Sequence, residues 1–241
     1  HITPYAFQFR LQPGAFEKSI WYRQNWMAVE FNLLYRWHGL VPDSYRLGGK
    51  DVPLVETLFE NHLLVDHGLG AVLEAASAQT AGRIGLFNTP VSLLDVEVAS
   101  VKQGRLAQLA SYNDYRALCQ FPRVTSFDQI SGDPQVQAGL KNVYGHVDRI
   151  EFYPGLFAED VREQSALPAL IGRLVGVDAF SQALTNPLLS AHLYHDRTFT
   201  KAGREIIEST TSLFQIVERN VPPRSQPFTI TMDRAKAPRA D

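Results

Sequence analysis

Tyr35 and His38 lie in the stretch Glu30-Phe-Asn-Leu-Leu-Tyr35-Arg-Trp-His38-Gly-Leu-Val-Pro42-Asp43, and they are the pair whose types and spacing best suit chemistry. Three residues apart on a helix, their side chains would emerge on one face with Cβ atoms about 5–6 Å apart. An imidazole is a good axial donor to haem iron, and the axial donor sets the electronics of the metal. A phenol near a porphyrin edge can lose an electron and a proton to an oxidised iron centre, leaving a tyrosyl radical able to take hydrogen from carbon. Together the two residues suit radical oxygenation. A tyrosine and a histidine ending an amphipathic helix serve equally as core or boundary residues, and spacing alone does not decide between these readings.

The elements that must carry them are mostly helical. A long helix is expected from Pro13 to about His38, because Phe16, Ile20, Met27, Phe31, Leu34 and Tyr35 recur at helical spacing. Pro13 suits a first turn, and Gly39 and Pro42 stop the element. Further helices are expected over Val52–His62, Leu69–Ala78, Leu93–Ala110 and Asn113–Cys119. Ser126 and Gln129 have capping-box spacing, and Asp133-Pro134 supplies a cap and first-turn proline for a helix reaching Tyr144. Leu167–Leu189 reads as helix until Asn186-Pro187 interrupts it, Thr200–Asn220 as a last helix, and the tail after Pro222 as irregular and frayed. The expected class is mainly α, with residues 1–241 as one domain and no internal repeat.

With 241 residues and 45% hydrophobic content the chain can bury a substantial core, and 20% charged residues is ordinary globular composition. A net charge of −2 without a basic stripe excludes an evident nucleic-acid partner. One cysteine, Cys119, excludes an internal disulfide and any cysteine cluster for zinc or iron–sulfur, and fits a reducing compartment. No apolar run reaches the length of a transmembrane helix. His1-Ile2-Thr3-Pro4 has neither an initiator methionine nor a signal-peptide pattern, so the chain is expected to be processed, truncated or excised from something longer.

The Glu30–Asp43 stretch resembles a segment of the prostaglandin endoperoxide synthases (cyclooxygenases) and related fatty-acid dioxygenases. That segment reads glutamate-phenylalanine-asparagine, then leucine-tyrosine-X-tryptophan-histidine, then proline-aspartate. The likeness extends through Leu64–Gly68, Ala81–Gly85, Tyr112-Asn-Asp-Tyr-Arg116, Leu140–Tyr144, Glu151-Phe-Tyr-Pro-Gly155, Thr198-Phe199 and Pro227–Thr229. The chain is thus similar to the C-terminal half of the catalytic domain in this branch of the animal-type haem peroxidases. The resemblance implies a helical haem peroxidase-like fold and haem b as cofactor. It also implies Tyr35 as the radical-forming residue and His38 as the proximal iron ligand. A polyunsaturated fatty acid, O2 and a peroxide would be the reactants. Position X, a histidine in the animal enzymes, is Arg36 here, so its role is not carried over.

Further positions follow from the same likeness. Tyr153 matches a tyrosine near the proximal ligand, where a polar group orients and tunes the imidazole; a buried tyrosine with a satisfied hydroxyl is the plain alternative. Tyr5 matches the tyrosine at the mouth of the fatty-acid channel. Ser181 matches the serine that aspirin acetylates, although that alignment needs a two-residue insertion after Tyr153 and an ungapped one selects Ala179. Phe31, Leu34 and Trp37 match residues near the oxygenase cavity, where core packing explains them as well.

The family's distal histidine and glutamine, and the arginine that pairs with the substrate carboxylate, have no counterpart. His62, His67, His146, His192 and His195 lie in no matching motif. His67 is expected to be structural, and His192 and His195 to lie at a surface. The chain is expected to be a fragment, a half completed by a partner chain, or a shortened relative without peroxidase chemistry. A non-catalytic haem- or lipid-binding module is the competing reading. The absence of Asn-X-Ser/Thr acceptors and of an endoplasmic-reticulum retention tail leans towards a bacterial or cytosolic relative, with peripheral membrane association left open.

Overall fold

The computed structural model describes residues 27–162, 165–184, 186, 188 and 192–230. In chain order these form α1 (Val29–Leu34), β1 (Ser44–Leu47), β2 (Lys50–Pro53), α2 (Leu54–Thr57), α3 (His62–His67) and α4 (Leu69–Ser77). They continue with α5 (Leu94–Leu106), α6 (Tyr112–Leu118), α7 (Pro134–Tyr144), α8 (Phe152–Ala158), α9 (Ala169–Leu184), α10 (Asp196–Phe199), α11 (Lys201–Ser209) and α12 (Leu213–Asn220). The class is mainly α, as expected. The described residues group into two compact units, one from the segments up to Val41 and Arg83–Tyr194, the other from Pro42–Gly82 and from His195 onward.

In the first unit the core gathers Leu33 and Leu34 of α1, Tyr112 and Tyr115 of α6, Val136 and Leu140 of α7, Phe152, Tyr153 and Leu156 of α8, and Leu170 and Ile171 of α9. α7 forms as its sequence demands. The Asp133 carboxylate accepts from the Gln135 N–H at 2.8 Å, Pro134 occupies the first turn, and Gly145 ends the helix in the left-handed region at φ 69°. α6 begins on a capping box between Ser111 and Asp114. Its buried Asn113 bonds both the carbonyl and the N–H of Val124 at 2.9 Å, and reaches Asp148 at 2.7 Å. Arg116 pairs with the buried Glu159 at 3.0 Å and bonds the Tyr112 hydroxyl at 3.1 Å. α8 crosses this helix at Gly155, where a Cβ would lie 2.5 Å from the Tyr112 ring, so only glycine lets the two backbones approach. The two signatures around Tyr112 and Gly155 therefore specify one helix crossing.

The second unit departs from the expected helix over Val52–His62. Residues 44–53 pair as an antiparallel hairpin with Tyr45 opposite Val52 and Leu47 opposite Lys50. Gly48 and Gly49 both have positive φ, 56° and 81°, which a two-residue hairpin turn requires and glycine supplies without strain. The ring of the exposed His67 lies beside Gly48.

Three other expectations are corrected. Ser126 makes no side-chain cap, because Gln129 instead accepts from the Thr125 N–H at 2.8 Å. The expected helix over Thr200–Asn220 is two, divided where Ser212 and Gln215 form a new capping box. The tail is docked at least as far as Thr229. Phe228 covers Gly70, Arg224 lies over the Phe228 ring 3.6 Å from its centroid, and Glu74 accepts from Arg224 at 3.0 Å and from the Thr229 N–H at 2.5 Å.

Candidate active site

α1 is held by its ends. Glu30 in its first turn accepts from the Tyr115 hydroxyl at 2.6 Å, which ties it to α6. Leu33 and Leu34 bury its inner face. The helix then stops at Tyr35, short of the expected end at His38. The cause is Trp37. In a continued helix the His38 N–H would bond the Leu34 carbonyl, but the Trp37 indole Nε1–H takes that carbonyl at 2.7 Å. His38 instead opens a separate 3-10 turn, His38–Leu40. Tyr35 and His38 therefore do not share a helix face, and the geometric argument for pairing them is corrected. Gly39, expected as a helix stop, has another function: a Cβ there would meet the Arg83 carbonyl at 2.8 Å, so glycine lets the turn approach that strand of chain.

Arg36 joins the end of α1 to α5. Its guanidinium donates to the Ser100 hydroxyl at 2.7 Å, the Gln103 side chain at 2.8 Å and Asn32 at 3.0 Å. Ser100 is fully buried, so this fork fixes the segment that carries Tyr35 and His38.

His38 is half-buried, and its Nδ1 lies 2.9 Å from Oε1 of Glu97 in the first turn of α5. The same carboxylate accepts from the Thr89 hydroxyl at 2.8 Å on Oε1 and from the Tyr153 hydroxyl at 2.5 Å on Oε2. Tyr153 is buried on α8 against Phe157, with ring centroids 4.8 Å apart. Burial first, and the hydrogen bond to Glu97 second, push its phenol well above the ordinary range, so it stays a proton donor. The structure thus brings His38 and Tyr153 together through Glu97, a residue sequence reading passed over. Glu97 shares a helix face with Ser100, Val101 and Gly104, while the more apolar Leu94, Val98 and Leu106 point outward. A face of charged and small residues reads as solvated, and an acid in a first turn reads as a dipole partner; neither signal marks a half-buried acceptor.

Tyr35 is more than a third exposed, between Phe31 at a centroid distance of 4.6 Å and Trp37 at 5.6 Å. Partial burial and the negative charge of Asp178 on α9 raise its phenol above the usual value. Of the three residues expected near a cavity, Phe31 and Trp37 flank Tyr35, whereas Leu34 is buried in the core. Tyr5 lies outside the described residues, and so does the side chain of Ser181, whose backbone falls on α9. His192 is exposed and His195 partly exposed.

Because the carboxylate facing Nδ1 can only accept, the neutral His38 imidazole would carry its proton there and keep the Nε2 lone pair to donate. Among the described residues no cluster of three or more histidine, cysteine or acidic side chains could hold a metal ion. A single oriented imidazole suits a metal whose other ligands come with it, and a porphyrin brings four nitrogens and asks for one axial donor.

The model of the family described as animal haem peroxidase matches residues 28–230. Prostaglandin G/H synthase 2 of Gallus gallus is 31% identical over 95% of this chain and 38% of its own length. Prostaglandin G/H synthase 1 of Rattus norvegicus is 33% identical over 90% of this chain and 36% of its own length. The chain therefore spans well under half of these relatives. Among solved structures, the fatty acid alpha-dioxygenase of Arabidopsis thaliana shares the fold with a TM-score of 0.74 at 17% identity, over 88% of this chain and 40% of that one. With its helical fold, its Tyr-Arg-Trp-His segment and a family match over most of its length, the chain belongs to the animal haem peroxidase family.

Proposed function

We propose that the protein is a haem-dependent fatty-acid dioxygenase of the cyclooxygenase kind, in which His38 would hold the haem iron and Tyr35 would remove hydrogen from substrate. The observation that carries the reading is the Glu97 carboxylate 2.9 Å from His38 Nδ1, an arrangement that in the neutral ring leaves Nε2 to donate. Haem b, when bound, supplies the one-electron oxidising capacity delivered by a peroxide.

The remaining chemistry belongs to the chain. Partial burial and Asp178 keep Tyr35 a neutral phenol at neutral pH, so its oxidation releases one electron and one proton and leaves a phenoxyl radical. Taking a hydrogen atom from a methylene between two double bonds restores the O–H and leaves a carbon radical, to which O2 adds. Phe31 and Trp37 offer aromatic surface on either side of Tyr35 for an acyl chain. Tyr5 and Ser181 are proposed, on the resemblance alone, as further substrate contacts. The names of the relatives, prostaglandin synthases and fatty acid alpha-dioxygenases, support a fatty acid and O2 as reactants.

Tyr35→Phe tests the assignment. Among the described residues the Tyr35 hydroxyl makes no hydrogen bond, so its removal should shift stability by no more than about 0.5 kcal/mol. Haem retention should be unchanged, while O2 uptake with a polyunsaturated fatty acid and the peroxide-induced tyrosyl radical signal should be lost. Uptake at the wild-type rate would overturn the role given to Tyr35.

A further inference from the structure

We propose that Glu97 is a positioning residue that fixes the His38 tautomer and strengthens Nε2 as a donor, with Tyr153 setting how much of its charge the imidazole feels. The inference rests on the reading of His38 as the iron ligand. Its basis is the geometry of one carboxylate with three donors. Oε1 faces His38 Nδ1 at 2.9 Å and Thr89 at 2.8 Å, while Oε2 takes Tyr153 at 2.5 Å. A carboxylate accepts only, so the Nδ1 position carries a proton, and in the neutral imidazole Nε2 is then bare. An anionic acceptor draws that proton towards itself and moves electron density to Nε2, which favours the more highly charged ferric iron.

The acid is not explained as a partner of the α5 dipole. Asp95 occupies the same first turn and is exposed, whereas Glu97 is turned inward among its three donors. The shortest of the three bonds comes from Tyr153, which competes with His38 for the same negative charge. Removing the two partners should therefore act in opposite directions. Glu97→Gln keeps the shape but deletes the charge, so the axial donor weakens. Tyr153→Phe deletes the competing donor, so the pull on His38 grows. A purely structural role predicts no such opposition of sign.

The test has two arms. In the haem-free chain, 15N NMR of the imidazoles should show His38 protonated on Nδ1 and bare on Nε2; an Nε2–H tautomer would overturn the proposal without reference to haem. In the haem-loaded protein, Glu97→Gln should raise the ferrous-to-ferric ratio at a fixed potential about tenfold, equivalent to about 59 mV for one electron. Tyr153→Phe should lower it. Identical potentials in the wild type and both variants would overturn the proposal. If His38→Ala keeps its haem, the ligand assignment itself falls, and the NMR arm still decides whether Glu97 holds the tautomer.

Discussion

Replacing Gly155 by alanine puts a methyl carbon where the Tyr112 ring already lies. The new Cβ would be 2.5 Å from Tyr112 Cβ and Cγ and 2.6 Å from Cδ2, against the roughly 3.5–4.0 Å of an ordinary carbon contact. Either α8 retreats by about 1 Å or Tyr112 leaves its rotamer, and overpacking of this kind costs about 1–3 kcal/mol. Tyr112 is fully buried and its hydroxyl is bonded to Arg116, itself paired with Glu159, so neither relaxation is free. Against this stands the helix propensity of alanine, worth about 1 kcal/mol over glycine. With both relaxations hindered the upper end of that overpacking range applies, leaving a net loss of about 2 kcal/mol, which at a urea slope of about 2 kcal/mol/M lowers the midpoint by about 1 M. Urea unfolding followed by circular dichroism reads the shift. Gly85→Ala is the control, because a Cβ there meets nothing within 4 Å. A Gly155→Ala midpoint equal to wild type would refute the claim that this crossing needs glycine. It would also weaken the account of how α8 delivers Tyr153, two residues earlier, to Glu97.

Other expectations can be checked on the same protein. Asn113→Ala leaves the buried N–H and carbonyl of Val124 without their partner and should cost about 3 kcal/mol in urea unfolding; a loss under 1 kcal/mol would contradict it. Glu151 is held below the usual carboxylate range chiefly by its hydrogen bond from Arg105, with Tyr144 adding to it. A depressed folded pKa stabilises above the unfolded value near 4.3 and loses that contribution as pH falls through the folded one. The deficit of Glu151→Gln relative to wild type should therefore be full at neutral pH and shrink steadily below about pH 4. A deficit independent of pH would show that the Arg105 pair does not matter.

Legibility in the sequence followed the range of each signal. α7 was readable from its start, because Asp133-Pro134 acts on backbone groups within a turn of itself. The hairpin at residues 44–53 was hidden by its shortness, with Val52 mistaken for a helix start, although Gly48-Gly49 is a turn signal in plain view. The break after Leu34 comes with an indole on the Leu34 carbonyl, and helical periodicity cannot register such a contact. His38 and Tyr153 were named from the family motif, but their connection was not. Glu97 lies 59 residues from His38 and 56 from Tyr153, and its partners are set by the packing of α5 between segments that only the fold brings together.

The central claim is that His38 holds the haem iron, and haem retention by His38→Ala tests it most directly. The side chain's one hydrogen bond among the described residues is to Glu97, so helix content by circular dichroism should be preserved. The purified variant is expected to lose the Soret absorbance and bound iron of the wild type. Soret absorbance and iron content equal to wild type would contradict it.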